Sequence, residues 1–326
     1  MKIYKNKKIL VTGSSGFVGT NLIKKLVKYD CRIIAVIHKK LPQIKFKKVK
    51  YIKADLTKKS NCLKVTKDID FIFMCSANSS GASVMEKKPL THLTPNIVMN
   101  SLMLEAAYYN KVKKFCFISS NTVYPLTKYP VSEEKVNYKF FSKYHIVGWM
   151  KLFSEEMCKM YNDKIKSPMQ TLIVRPGNLY GPYDKFTKKE SKVIAAIIRR
   201  FFEKQNPLIV WGDGKALKDF IYIEDFIDGL LKVFSINNFS GPINIASGKS
   251  ETIRKIIKNL KIITRQKNLV INFNKDMPSM IPYRLISIKK AKKLFNFHPK
   301  TSLYEGLKKT YNWYKIFYKN KIPENF

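Results

Sequence analysis

Metal-binding and disulfide chemistry find little support in this sequence. Of its 326 residues only five are cysteines, an odd number without any Cys-x-x-Cys pair, and only four are histidines. We interpret the cysteines as reduced thiols of a cytoplasmic protein. His92, His145 and His298 have no ligand partners at metal-binding spacing, so we expect no metal site.

Long apolar runs are also missing. After the charged residues 1–8, the first apolar run covers only residues 9–12, which is too short for the core of a signal peptide. No stretch approaches the roughly 18 apolar residues that span a bilayer, and we expect no membrane partner. Hydrophobic residues still make up 45% of the chain, which argues against disorder and allows a sizeable buried core.

Acidic residues are scarce: 23 Asp and Glu stand against 62 Lys and Arg, and the net charge is +39. Only seven of the basic residues are arginines, and no five basic residues are consecutive. Arginine is the side chain best suited to phosphates and base edges. We therefore interpret the charge as a general lysine-rich surface and expect no specific nucleic-acid partner. An anionic surface partner is the alternative.

Short apolar strands alternate with amphipathic helices in the first half of the chain. This order predicts an α/β fold with a doubly wound parallel sheet of the Rossmann type. After that the pattern loosens, so we expect a dinucleotide-binding domain over residues 1–177 and a smaller substrate-binding lobe over residues 178–326, with the chain crossing between them. The predicted strands cover residues 8–12, 32–37, 49–52, 70–75, 114–119 and 171–175. The predicted helices cover residues 21–29, 96–109, 147–161, 191–204, 224–234, 252–260 and 302–318.

A glycine-rich segment follows the first predicted strand and opens a helix. Residues 12–19 read Thr-Gly-Ser-Ser-Gly-Phe-Val-Gly. Such glycines close the turn, let backbone N–H groups approach a pyrophosphate and let the helix pack on the strand. The segment therefore predicts a site for a nicotinamide dinucleotide. Its expected contacts are Gly13, Ser15, Gly16, Phe17, Val18 and Gly19.

The end of the second strand carries no acid. An acid there would bind the ribose hydroxyls of NAD, whereas a basic group tolerates the additional phosphate of NADP. His38 and Lys39 occupy the position, which favours NADP over NAD, although lysines are common everywhere in this chain. Asp55 and Leu56 follow the third strand, where the acid can meet the adenine amino group.

With these motifs in place, the chain resembles the extended short-chain dehydrogenases/reductases of the NAD-dependent epimerase/dehydratase family. The resemblance is closest to the GDP-fucose synthase-like sugar epimerases and reductases, and it covers nearly the whole chain. It implies a nucleotide-sugar substrate, with a GDP-sugar favoured. The segments that carry it are residues 12–19, 119–125, 175–182, 210–214 and 301–307.

The resemblance assigns catalytic roles but meets one departure. Ser120 corresponds to the residue that binds the reacting sugar oxygen, and Lys151 to the lysine of a Tyr-x-x-x-Lys pair that holds the nicotinamide ribose. The tyrosine position is Val147, which carries no proton. Three alternatives stay open: another acid/base, such as Tyr144, water or the substrate itself, takes over; a slower redox step proceeds with Ser120, Lys151 and the nicotinamide alone; or catalysis is lost and a silent nucleotide-sugar binder remains.

Two further positions limit the reaction. GDP-fucose synthases exchange a proton beside a ketone with a cysteine and a histidine, and these align here with Thr122 and Lys192. A threonine hydroxyl is too weak an acid for that exchange. The acidic pair expected in 4,6-dehydratases is also absent, since Asn121 and Thr122 stand there. Oxidation, reduction or epimerisation at sugar C4 is therefore the expected chemistry.

The second lobe should bind the nucleotide diphosphate. By resemblance Arg200 and Lys218 face the phosphates, Trp211 lies beside the base or ribose, and Arg284 is a weaker candidate for the same anion. Residues bordering the nicotinamide are expected at Pro176, Asn178 and Leu179. The resemblance also implies a homodimer formed through the helices at 96–109 and 147–161, and a role in surface-polysaccharide or deoxysugar synthesis.

Overall fold

The computed structural model describes residues 1–78, 88–188, 190–237, 239, 241–276 and 281–319. The strands in chain order are β1 Lys7–Val11, β2 Cys31–Ile37, β3 Val49–Lys53, β4 Phe71–Met74, β5 Lys114–Ile118, β6 Gln170–Pro176, β7 Asn178–Tyr180, β8 Leu208–Trp211, β9 Leu217–Tyr222, β10 Pro242–Ile245, β11 Ser250–Thr252, β12 Ile271–Asn274 and β13 Tyr283–Arg284. The α-helices are α1 Phe17–Leu26, α2 Lys59–Thr66, α3 Thr94–Tyr109, α4 His145–Asp163, α5 Val193–Phe202, α6 Ile223–Val233, α7 Ile253–Thr264, α8 Lys289–Phe295 and α9 Leu303–Lys319.

The central sheet has seven strands in the order β3-β2-β1-β4-β5-β6-β10. All of its neighbouring strands run parallel. The strand order reverses beside β1, which creates the crevice where open α/β sheets bind their ligands. The predicted Rossmann-type α/β fold is confirmed.

Both faces of this sheet are buried, because successive side chains of its strands enter two different cores. In β1, Ile9 and Val11 belong to one apolar cluster and Leu10 to the other. The same alternation holds in β4, where Phe73 faces the first core and Ile72 the second. Helices must therefore cover both sides, as the sequence pattern predicts.

The helices differ from the predictions in the bounds of the first helix and in two helices, α2 and α8, that are not predicted. The first helix begins at Phe17 rather than at residue 21, because Gly16 ends the turn and the chain becomes helical at once. Helix α2 is not predicted, since its sequence carries few apolar residues; Cys62 and Val65 are the buried ones. Among the described residues, no helix is long and apolar enough to cross a membrane.

The central sheet extends across the predicted boundary at residue 177. Strand β10 pairs with β6 and forms the outer edge of the sheet. The remaining strands of the second half form a four-stranded sheet around β9 and a two-stranded ribbon of β8 and β12. The two halves are thus joined by continuous backbone hydrogen bonding as well as by side-chain packing.

A buried ion pair ties the centre of the fold together. The guanidinium of Arg175 on β6 donates to the carboxylate of Glu155 on α4 through Nε, at 2.9 Å, and through Nη2, at 2.5 Å. The two side chains are 2% and 0% exposed. The same guanidinium donates to the Tyr124 hydroxyl at 3.0 Å and to the Glu133 carbonyl at 2.8 Å. Because every group is hydrogen-bonded, this charge is tolerated in the interior.

Replacing Glu155 by glutamine should lower the free energy of unfolding by about 3 kcal/mol, because the Arg175 guanidinium then stays buried without a counter-charge. Urea denaturation measures the change. Glu156→Gln is the matched control: it lies one residue along the same helix in a solvent-exposed pair with Lys159. That control should change stability by less than about 0.5 kcal/mol. Equal effects of the two substitutions would contradict the assigned role of the buried pair.

Candidate active site

The glycine-rich turn lies at the carboxyl end of β1. Gly13 has a left-handed φ of +60°, and a Cβ there would lie 2.8 Å from the Cys75 carbonyl oxygen. A Cβ on Gly19 would overlap the backbone of Gly13. Side chains are thus excluded at both positions, and the turn can bring its backbone N–H groups to an anion at the start of α1.

The other residues predicted to contact the dinucleotide surround the start of α1. Gly16 caps α1, and Phe17 and Val18 form its first turn. The Ser15 hydroxyl donates to the Lys40 carbonyl at 2.7 Å and so connects the turn to the loop after β2. The helix start therefore faces the crevice with its positive dipole end.

The acid predicted to meet the adenine stands beside the end of β2. Asp55 accepts hydrogen bonds from both the Thr57 hydroxyl and the Thr57 N–H, which hold the pKa of its carboxyl below the ordinary value. Its Oδ2 lies 4.0 Å from Nε2 of His38. Leu56 is buried behind it, whereas Lys39 is exposed. The carboxylate is therefore ionised at neutral pH and close to the expected ribose position.

A second segment crosses over the loop after β2. Nζ of Lys40 forms an ion pair of 3.4 Å with Glu190, and the Gln43 side-chain amide donates to the Tyr183 carbonyl at 2.9 Å. Glu190 also pairs with Lys185. Lys40 lies near the expected 2′-phosphate position, and its charge is thus already partly neutralised by the Glu190 carboxylate.

The predicted catalytic residues Ser120 and Lys151 meet at the carboxyl end of β5. Ser120 begins a short 3-10 turn and its Oγ accepts a hydrogen bond from the Thr122 N–H. Lys151 reaches across from α4 and donates to the Ile118 carbonyl at 2.8 Å. Burial lowers the pKa of Lys151 to about 8. The amine can therefore change its charge only slightly above neutral pH.

Helix α4 approaches this turn closely because residue 148 is a glycine. A Cβ on Gly148 would lie 2.7 Å from a ring carbon of Phe140 and 3.0 Å from the Thr122 carbonyl oxygen. Val147 precedes it and is half-buried. The Thr122 hydroxyl is buried and has no hydrogen-bond partner within the described part of the chain. It is therefore free to bind a ligand group.

Tyr144 lies directly before helix α4. It forms the end of a 3-10 turn, Ser142–Tyr144, and α4 begins at the next residue. Its position is therefore set by this turn. Burial raises the pKa of Tyr144 to about 12, although the positive charge of Arg284 acts in the opposite direction. The phenol is neutral at physiological pH and can donate a proton.

Arg284 holds a buried positive charge without an acidic partner among its contacts. It is 1% exposed and donates to the carbonyls of Pro125, at 2.9 Å, and Tyr124, at 3.1 Å. Its Nε has no partner among the described residues, and burial lowers the pKa of the guanidinium to about 10.

Lys218 stands directly beside Arg284, since the two residues are register partners in strands β9 and β13. Burial lowers the pKa of Lys218 to about 8. Burial destabilises the charged forms of both side chains, and an anion bound between them would stabilise those charged forms. Their position next to Tyr124 and Pro125 directs that anion toward the turn that begins at Ser120.

Two of the remaining predicted substrate residues lie at the ribbon of β8 and β12. Arg200 on α5 donates through Nη1 to the Ile209 carbonyl. Trp211 ends β8 and is 39% exposed. Lys192 is the exposed N-cap of α5, at the opposite end of that helix from Arg200.

The residues predicted to border the nicotinamide lie at the ends of β6 and β7. Pro176 ends β6 and its carbonyl accepts from the Asn121 side chain at 2.9 Å. Asn178 donates to the Asp219 carbonyl at 2.9 Å, and Leu179 is half-buried in β7. This segment therefore links the turn after β5 to strand β9.

Two carboxyl groups of this region were missed by sequence reasoning. Asp219 is buried and accepts from the N–H groups of Ser247 and Gly248, each at 2.8 Å, and burial raises its pKa to about 7. Burial also raises the pKa of Asp184, against the opposing charge of Lys192. The sequence offered one signal for Asp219, because it is the single acidic residue in the mostly apolar segment that forms β9.

Comparisons with known proteins agree with this geometry. The model of a family described as the NAD dependent epimerase/dehydratase family matches residues 9–246. GDP-L-fucose synthase 1 of Arabidopsis thaliana is 26% identical, over 95% of this chain and 94% of its own length. GDP-mannose 3,5-epimerase of the same plant is 27% identical, over 95% of this chain and 82% of its own length.

The fold also matches solved structures. The structure of UDP-glucuronic acid 4-epimerase from Bacillus cereus, in complex with UDP-glucuronic acid and NAD, superposes with a TM-score of 0.83 at 27% identity. The match covers 95% of this chain and 100% of the other chain. The resemblance inferred from the sequence motifs is confirmed.

Arg284→Met should weaken the binding of a nucleoside diphosphate by about 10- to 100-fold, because a charge-assisted hydrogen bond of about 1.5–3 kcal/mol is lost. Lys218→Met should act in the same direction. Titration calorimetry with GDP and UDP measures both. Lys215→Met, an exposed lysine just before β9, is the control and should leave affinity unchanged. A loss of affinity in Lys215→Met without a loss in Arg284→Met and Lys218→Met would show that the anion site lies elsewhere. Thermal unfolding of each variant checks that it is folded.

Proposed function

This chain belongs to the NAD dependent epimerase/dehydratase family, and from that premise we propose that it is an NAD(P)-dependent nucleotide-sugar oxidoreductase or epimerase acting by hydride transfer at sugar C4. The observation that carries the proposal is the convergence on residues 118–125. Lys151 is bound to the start of this segment, Ser120 lies within it, and the buried cation Arg284 is bound to its end. A diphosphate and a reacting sugar need these groups together.

A GDP-sugar is our preferred substrate. The curated relatives reported above are named for GDP-sugars, whereas the solved relative holds UDP-glucuronic acid. All of these ligands share a diphosphate, so Lys218 and Arg284 would serve any of them. The choice of base would depend on contacts around Trp211.

The glycine-rich turn fits a nicotinamide dinucleotide, and NADP is the form we favour. His38 and Lys39 leave the end of β2 without an acid of its own. Two features weigh toward NAD instead: the ionised Asp55 near His38, and the Lys40–Glu190 ion pair, which reduces the positive charge available to a 2′-phosphate. The solved relative carries NAD.

A bound nicotinamide supplies the hydride acceptor and donor for sugar C4. The chain's own residues then have to hold and move the hydroxyl proton at the same carbon. Ser120 offers a hydroxyl to the C4 oxygen. Lys151 can accept a proton, since burial lowers its pKa to about 8, and it can bind the nicotinamide ribose in its charged form. Tyr144 can return a proton to a C4 ketone, because its phenol stays neutral.

The same residues disfavour two other family reactions. Exchange of a carbon-bound proton beside the ketone needs an acid much stronger than the Thr122 hydroxyl. Dehydration needs an acid beside Ser120, where Asn121 instead fixes the Pro176 carbonyl. Redox chemistry or epimerisation at C4 requires neither group.

The test of the proposed function is turnover with a panel of GDP- and UDP-sugars in the presence of NAD or NADP. Absorbance of the reduced nicotinamide reports net oxidation or reduction, and NMR of the sugar reports epimerisation without net change. We expect a C4 product from at least one GDP-sugar. Tight cofactor binding without any product would favour the rival function, a silent nucleotide-sugar binder, to which Val147 at the tyrosine position already points.

Tyr144→Phe should reduce kcat by about 100-fold or more with little effect on KM, because general acid catalysis contributes typically 10²–10⁴-fold. Tyr138→Phe, an exposed tyrosine before the same helix, is the control and should retain full kcat. Steady-state kinetics on the best panel substrate separates the two. If the Tyr144→Phe variant stays active, the proton donor would be Lys151 or water rather than Tyr144.

We also propose a homodimer formed through α3 and α4. Trp149, Phe153 and Met160 of α4 are exposed apolar side chains on that pair of helices. Packing them against a second copy would bury them in a four-helix contact. Light scattering would measure twice the 38.0 kDa mass of one chain.

A further inference from the structure

A groove of about 530 Å³ lies between helix α7 and strand β12, outside the candidate active site. Apolar side chains of Ile257 and Ile262 form one wall, and Ile271 and Phe273 form the other. A volume of this size is sufficient for a substantial apolar group. The active site described above uses none of these four residues.

The ribbon of β8 and β12 separates the groove from the expected nucleotide. Ile271 and Phe273 are register partners of Leu208 and Val210, which are buried. Because side chains alternate along a strand, Trp211 lies on the opposite face of the ribbon. A ligand in the groove would therefore not compete with a nucleotide-sugar beside Trp211.

The rim of the groove is cationic, and no acidic side chain lines it. Two of its cations are held by the protein: the Arg254 guanidinium lies 4.3 Å from the Phe273 ring centroid, and Lys261 donates to the Leu269 carbonyl at 3.0 Å. The other three are exposed at the groove mouth. They are Lys258, Arg265 and Lys267.

One large apolar side chain stands exposed at the same place. Ile262 on α7 is 57% exposed. Exposed apolar groups next to flexible cations are the pattern of a surface that lies in a membrane interface.

We propose that this groove, with its cationic rim, docks the protein on an anionic lipid bilayer. The rim cations would lie among the lipid phosphates, each contributing about 1 kcal/mol near such a surface. Ile262 would contact the acyl boundary, and the groove would receive one apolar chain. Such peripheral contact needs no spanning segment. We favour a bilayer over a peptide as the ligand, because the charged and apolar groups share one open face. A peptide would also need a row of fixed polar partners, which this face does not offer.

The test is co-sedimentation of the full chain with mixed phosphatidylglycerol–phosphatidylcholine vesicles and with pure phosphatidylcholine vesicles at physiological salt. We expect binding to the mixed vesicles only. Lys258→Glu/Lys267→Glu should reduce the partition coefficient by about ten-fold or more. Lys64→Glu/Lys67→Glu makes the same charge change away from the groove and should reduce it by less than about three-fold.

A second pair of variants tests the apolar part without changing charge. Ile262→Ser should weaken vesicle binding several-fold, whereas Ile316→Ser, 63% exposed on α9, should not. Retained dinucleotide binding verifies that each variant is folded. Equal losses in the groove and control variants would overturn the proposal in favour of undirected charge attraction. Absence of vesicle binding would overturn it as well, and groove-dependent capture of an acidic, apolar-containing peptide would then identify a peptide partner.

Discussion

The buried pair of Arg175 and Glu155 is the interaction on which the rest of the site depends. Glu155 accepts from the Ser119 hydroxyl as well as from the guanidinium, so α4 is fixed to the end of β5. Lys151 lies one helical turn before Glu155 and Ser120 directly after Ser119. The relative position of the two residues that we propose as catalytic therefore follows from a structural ion pair with which neither forms a hydrogen bond.

The network reaches the second half of the chain through polar groups rather than apolar packing. Tyr124 receives a hydrogen bond from Arg175 and donates to Asn244 of β10 at 2.6 Å. Arg284 donates to the carbonyl of the same tyrosine. The crevice beside β1 and the proposed sites for the sugar and the diphosphate thus share one hydrogen-bonded scaffold, which is what the proposed hydride transfer would require of its donor and acceptor.

Much of the fold could be predicted from sequence because the strands are short, apolar and regularly spaced, and because the glycines of residues 12–19 have a local physical role. Candidate site residues could be named from sequence where a contiguous motif carries them, as at Ser120, or where a spacing on one helix does, as at Lys151. Tyr144 belongs to neither case, since it ends a 3-10 turn and α4 begins one residue later.

Residues whose role comes from distant neighbours could not be predicted. Nothing in the run around Arg284 signals that its strand pairs with β9 beside Lys218, so the doubled buried charge appears only in three dimensions. The groove beside α7 is similar, because its walls come from a helix and a strand that the chain joins through a turn. The lysines are spread evenly along the sequence, and sequence spacing does not show which of them lie beside apolar surface in the folded protein.

Strand β10 has a consequence for how the protein is made. The chain is synthesised from its amino terminus, yet the sheet edge at β6 is completed only by residues 242–245, and the Tyr4 hydroxyl donates to the carbonyl of Leu231. A nascent chain that ends before this point carries an unpaired parallel edge and an unburied aromatic anchor. Final closure of the central sheet must therefore wait until residues 242–245 have left the ribosome.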